Sequence, residues 1–163
     1  MKIVSNTSPL IFLTKISRLD FLEGYNLIIP EQVFEEISEW EKIDSEGHLK
    51  LKGWISKKKI AAKKVEVLNN FSQGLGKGEK ATISLAVKEG VKVILIDEKK
   101  ARITAKSLGL IPIGTIAVIQ QQMLDKKITR KECKNLVLEL IKKGYRIKEE
   151  LIAEFLQNAE KNE

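Results

Sequence analysis

Asn6, Glu36, Glu79 and Asp97 each stand where an apolar strand pattern ends or a helical pattern begins. Oxygen donors that converge at such junctions can hold a divalent cation. Three of the four are acids, and the fourth is an amide that carries one negative charge fewer.

Helical phase separates the members of the Glu35-Glu36 pair. At about 100° per residue, Val33, Phe34, Ile37 and Trp40 fall on one apolar stripe, Glu36 flanks it, and Glu35 points nearly the opposite way. Glu36 is therefore the one that can reach the inner edge of a cleft, the alternative being a surface ion pair. Glu79 lies in the first turn of its helix on the face of Ile83 and Ala86, with Lys80, Ser84 and Lys88 on the polar face. An acid there either stabilises the helix N-terminus or joins a site. Asp97 follows the apolar run 91–96 and precedes a helix, so it can cap that helix, bind a cation, or do both. Glu98 beside it is either a helper ligand or a first-turn helix stabiliser.

Other reactive residues point elsewhere. His48 is the only histidine and sits in a polar stretch, where a surface position is expected. Cys133, the only cysteine, excludes an intramolecular disulfide and a cysteine metal cluster, and reads as a buried filler. The glycines at 74, 76 and 78 lack the Gly-Lys-Ser/Thr ending of a phosphate-binding loop and read as a hinge before Glu79.

The elements that would position these residues alternate. Strands are expected at Ile3-Val4, Leu27 to Ile29, Val91 to Ile96 and Leu110 to Ile113. Helices are expected over Leu10 to Leu13, Leu19 to Leu22, Glu31 to Lys42, 61–71, Glu79 to Glu89, a Lys/Arg-rich segment ending at Leu108, and Thr115 to Leu124. Residues 43–60 read as loop with a short strand near Trp54-Ile55. Thr7 or Ser8 can cap the first helix, with Pro9 in its first turn. Thr129-x-x-Glu132 matches a capping box opening a helix to Lys143, closed by Gly144, and a last amphipathic helix runs from Lys148 to Ala159. This is an α/β pattern with a parallel sheet, right-handed crossovers and helices on both faces. Ligands in such sheets gather at the carboxyl ends of the strands, where Asn6 and Asp97 would sit.

At 163 residues and 43% hydrophobic content, one domain is expected: a core over about 1–125 and C-terminal helices over about 129–160. No apolar stretch approaches the roughly 20 residues of a membrane span. The N-terminus enters a strand pattern without a signal-peptide profile, so a cytoplasmic protein is expected. The net charge of +7 favours an anionic partner such as nucleic acid, although a solvated lysine-rich surface gives the same balance. Lys57, Lys58, Lys59, Lys77, Lys99, Lys100 and Arg102 are the basic residues that could line a nucleic-acid path.

The series Ser5-Asn6-Thr7-Ser8-Pro9-Leu10, Ile29-Pro30, Val33-Phe34-Glu35-Glu36-Ile37, Gly78-Glu79, Ala81-Thr82-Ile83, Ala86 and Leu95-Ile96-Asp97-Glu98 resembles the PIN domain, in the expected order over about 1–125. It is most similar to an uncharacterised VapC-like branch in prokaryotes. The resemblance implies a three-layer α/β/α fold with a central, mainly parallel sheet. It also implies a metal-dependent endoribonuclease using Mg²⁺ or Mn²⁺ to hydrolyse RNA, often the toxin of a toxin–antitoxin pair with an antitoxin-like protein partner, and often a homodimer. Matched by position, Asn6, Glu36, Glu79 and Asp97 would form the acidic pocket, with Thr7 or Ser8 orienting a metal-bound water. Asn6 departs from the pattern, since the family usually has aspartate there, and the lost charge should weaken metal affinity. A catalytically weak RNA-binding, regulatory or protein-interaction module is the alternative.

Overall fold

The computed structural model describes residues 1–160, and five strands in it form one sheet: β1 (Lys2–Ser5), β2 (Asn26–Pro30), β3 (Ala61–Lys63), β4 (Val93–Leu95) and β5 (Ile111–Ile113). Their order is β3-β2-β1-β4-β5, and every neighbouring pair is parallel. β1 is the middle strand, and β4, from the apolar 91–96 run, is paired on both sides. Ile3, Val4 and Ser5, like Leu27, Ile28 and Ile29, are buried in succession without alternation, because both faces of a parallel sheet are covered.

The covering helices are α1 (Thr7–Lys15), α2 (Glu31–Trp40), α3 (Ser45–Lys57), α4 (Lys77–Glu89) and α5 (Lys99–Ser107), giving three α/β/α layers. Ile83, Leu85 and Ala86 of α4 and Ala101 and Ala105 of α5 pack into one core cluster with Val4, Ile28, Ile94 and Ile96. The chain builds β1, β2 and β3 outward in one direction, then returns to add β4 and β5 on the other side of β1. The strand order therefore reverses between β1 and β4, which opens a crevice at their carboxyl ends.

Two stretches depart from the sequence reading. Residues 45–57 form α3 instead of a loop. Asp44 accepts a hydrogen bond from the Gly47 N–H at 2.9 Å and caps the helix, while His48, Leu51 and Ile55 make a buried stripe at helical spacing. The surrounding lysines and glycines masked that stripe, and His48 is buried, not at the surface. Conversely, residues 61–71 are not a helix: Ala61 to Lys63 pair with Ile28 to Pro30, and the chain then runs without regular structure to α4. Alanine's helix preference is worth about 0.5 kcal/mol per residue. Pairing with the open edge of β2, together with partial burial of Val65 and Phe71 on the core, outweighs it. This segment also crosses α4, where the Leu68 N–H donates to Ser84 Oγ at 3.0 Å, so Ser84 is buried and does not line a polar face. Phe34 is 40% exposed and lies off the buried stripe of Val33, Ile37 and Trp40.

The chain divides into two compact units, 1–115 and from Ile116 onward. In the second, α6 (Thr115–Leu124) is followed by α7 (Arg130–Lys142) and α8 (Glu149–Glu160). α7 opens with the expected capping box: the Glu132 N–H donates to Thr129 Oγ1 at 3.1 Å, and the Thr129 N–H donates to Glu132 Oε2 at 2.6 Å. Cys133, Leu136, Val137 and Leu140 form its buried face. Burial pushes the Cys133 thiol above its usual range, which keeps it protonated and unreactive. Gly144, at φ +97°, closes α7 as expected. Among the described residues, no helix is long and apolar enough to cross a membrane.

Candidate metal and nucleic-acid site

The carboxyl ends of β1 and β4 carry the first and last of the four sequence candidates. The Asn6 N–H donates to the Leu95 carbonyl at 2.9 Å, carrying the β1–β4 ladder one step past Ser5. Asn6 takes the N-cap position of α1 with extended backbone, but its side chain makes no capping hydrogen bond. It is 5% exposed, and its Oδ1 is buried with no hydrogen-bond partner. A buried amide oxygen left unpaired costs roughly 1–3 kcal/mol, so this acceptor calls for a donor or a cation.

Because Asn6 holds the cap position, the hydroxyls of the first turn are released for other work, and neither Thr7 nor Ser8 caps α1. Thr7 Oγ1 donates to Glu36 Oε2. Ser8 Oγ donates to Asp97 Oδ2 at 3.2 Å. The first turn of α1 thus binds two of the candidate acids, one from α2 and one from the end of β4.

Asp97 does not cap α5. That role falls to Glu98, the N-cap, whose side chain accepts from the Ala101 N–H at 2.9 Å and so stabilises the helix. Asp97 instead accepts from Thr115 twice, from the N–H to Oδ1 at 2.7 Å and from the hydroxyl to Oδ2 at 2.7 Å. Thr115 is fully buried and was not singled out from the sequence. Its signal was its position, directly after Gly114 at the carboxyl end of β5, where a polar residue faces the same crevice as Asp97.

Glu36 is half-buried and Glu35 exposed, in line with their helical phase. Glu36 Oε1 accepts from the Gly78 N–H at 3.0 Å, which ties α2 to the first turn of α4. The glycine run read as a hinge, and Gly78 entered the sequence reading only through the Gly78-Glu79 motif, whereas its N–H already belongs to the helix and binds Glu36. Glu79 is half-buried and accepts from the Gly76 N–H at 2.7 Å, the helix-terminus role open to it from the sequence. Burial pushes its pKa above the ordinary carboxylate value against that hydrogen bond, and the negative charges of Glu98 and Glu36 push it the same way. Glu98 and Glu36 therefore lie within electrostatic reach of Glu79.

Of the basic candidates, Lys77 opens α4 and lines a groove of about 350 Å³ together with Glu36. Ile11, Trp40, Ile43, Glu35 and Glu39 also line it. Lys99, Lys100 and Arg102 lie in the first turn of α5 directly after Glu98. Lys57, Lys58 and Lys59 precede the amino end of β3, the far end of a parallel sheet from Asp97, and Lys58 is paired with Glu23 at 3.2 Å.

The donor chemistry suits a hard divalent cation. Glu36, Glu79 and Asp97 offer carboxylate oxygens, and Asn6 adds an orphaned amide oxygen. Among the described residues, no three His, Cys, Asp or Glu side chains converge tightly enough to cage an ion together. A hard cation that keeps several of its waters needs only one or two direct carboxylates.

No curated protein and no solved structure matches the chain. A family model described as PIN domain matches residues 2–161. With that match over nearly the whole chain and a five-stranded parallel sheet in three layers, the chain belongs to the PIN-domain family, whose fold is of nuclease type.

Proposed function

We propose that this protein is an endoribonuclease dependent on Mg²⁺ or Mn²⁺ that hydrolyses RNA phosphodiesters, of the VapC-like toxin type. The observation that carries the proposal is the first turn of α1, where the buried Asn6 Oδ1 has no hydrogen-bond partner and the next two hydroxyls, of Thr7 and Ser8, bind Glu36 and Asp97. Asn6, Glu36, Glu79 and Asp97 would hold the cation, with Glu98 adding negative charge nearby. The metal, when bound, would activate water and stabilise charge on the phosphoryl group.

The chain's own part is positioning. Thr7 and Gly78 fix the two oxygens of Glu36, while Ser8 and Thr115 fix those of Asp97, so both carboxylates are oriented before a cation arrives. Lys77, Lys99, Lys100 and Arg102 border the acids and would hold the RNA backbone in a salt-dependent way. The groove lined by Glu35, Glu36 and Glu39 supports an antitoxin-like partner, for which a basic apolar segment is the complement. The family resemblance further supports a cytoplasmic homodimer.

Asn6 favours a second reading, an RNA-binding module with weak or no cleavage, because one charge fewer lowers metal affinity. Titrating Mn²⁺ against an RNA panel with wild type, Glu79→Ala and Asp97→Ala separates the two. Cleavage lost in both variants is the expected result. Cleavage surviving in both sinks the site assignment, and salt-sensitive RNA binding without cleavage in wild type selects the second reading.

A further inference from the structure

Gly78 is buried in the first turn of α4, and its backbone is ordinary helix, so conformation does not require a glycine there. What requires it is Glu36. A Cβ at position 78 would lie 2.5 Å from Glu36 Oε1, 2.7 Å from Oε2 and 2.8 Å from the carboxyl carbon. The two other glycines of the run differ. At Gly76 a Cβ would meet Glu79 Oε2 at an ordinary 3.5 Å, and at Gly74 the backbone itself, at φ +95°, favours glycine.

We infer that Gly78 is the positioning residue of Glu36: by having no side chain it lets the α2 carboxylate seat on the first turn of α4, and a larger residue would expel it. The seat has two walls, the Gly78 N–H on Oε1 and the Thr7 hydroxyl on Oε2. Each carboxylate oxygen can accept twice, so one acceptor position remains on each oxygen for a cation or its waters. The seat stands on geometry alone, and its consequence for metal binding rests on the nuclease reading above.

The test is a melting cycle on metal-free wild type, Gly78→Ala, Glu36→Ala and the double variant. Alanine is the better helix former, so without Glu36 in the way Gly78→Ala should raise Tm. The expected result is a lower Tm for Gly78→Ala in wild type and a higher one in the Glu36→Ala background. The same sign and size in both backgrounds would overturn the inference. If Gly78→Ala does not fold, recovery of folding in the double variant supports the seat, and failure of both overturns it. Mn²⁺ titration followed by electron paramagnetic resonance reads the consequence: Gly78→Ala should weaken binding by about 10-fold or more, as loss of an orienting group does. Wild-type-like Mn²⁺ affinity in Gly78→Ala would refute the link to the metal. A wild type that takes up no Mn²⁺ would defeat the nuclease reading and leave the melting cycle to decide the seat.

Discussion

Glu79 and Glu89 sit at opposite ends of α4, ten residues and so about 15 Å apart along the axis. The helix dipole alone would stabilise the charge of Glu79 in the first turn and oppose that of Glu89 at the last residue. The neighbours of the two groups act in the reverse sense. Burial and the charges of Glu98 and Glu36 raise the pKa of Glu79. Hydrogen bonds from Lys63 and Lys2, both at 2.9 Å, hold Glu89 down to about 2. Neighbours outweigh the dipole at both ends. At Glu89 the chain supplies its own cations, whereas at Glu79 it adds more acid, and an external cation is what would relieve that concentration of charge.

Asn6→Asp is the largest test, because it adds a negative charge in a buried position next to Thr7, which holds Glu36. The metal-free protein should lose about 3 kcal/mol, a Tm drop of about 2–4 °C for each kcal/mol. Mn²⁺ should restore the loss, with tighter binding and faster cleavage. An unchanged metal-free Tm together with no response to Mn²⁺ would break the contrast between the two ends. Thr115→Val comes next: it keeps the shape but removes the hydroxyl that Asp97 Oδ2 accepts from, and should cost about 2 kcal/mol in chemical denaturation. A neutral result would mean that Asp97 does not depend on this donor.

Glu79→Gln should act in the opposite direction and more weakly. Its raised pKa means that the cost of ionising it is absent below the ordinary value of 4.5 and grows as pH rises past it. The variant should therefore melt higher than wild type at pH 7 without metal, lose that advantage below about pH 4, and gain less from added Mn²⁺. Glu89→Gln should give the smallest change, a lower Tm at neutral pH. Since the pKa of Glu89 is depressed, its contribution is present above 4.5 and fades as pH falls toward about 2, so the wild-type and variant curves should converge across that window. Salt should narrow the difference as well, because the pairs lie at the surface. Equal salt dependence for Glu79→Gln and Glu89→Gln would mean that the two ends of α4 do not differ as described.

Much of the site was legible because it follows from local periodicity. Helical phase placed Glu36 toward the interior and Glu35 in solvent, and the apolar run before Asp97 marked a strand end. What misled was composition where tertiary pairing decides. Ala61 and Ala62 look helical until β2 offers an open edge, and the His48-Leu51-Ile55 stripe of α3 is hard to see among lysines and glycines. Side-chain partners were equally hidden. Ser8 and Thr115 are 89 and 18 residues from Asp97 in the chain, and the carboxylate binds both.

The sequence by itself determined that strands and helices alternate, that the apolar inner strands are covered on both faces, and which acids stand at their junctions. These are properties of short windows, set by side-chain type and spacing. Only the tertiary structure decided that β4 returns to the opposite side of β1, which opens the crevice. It alone assigned the α5 cap to Glu98 so that Asp97 could turn to Thr115, and left the space at Gly78 for Glu36. Those outcomes depend on groups far apart in the chain competing for the same hydrogen bonds and the same volume, and no local pattern records which of them wins.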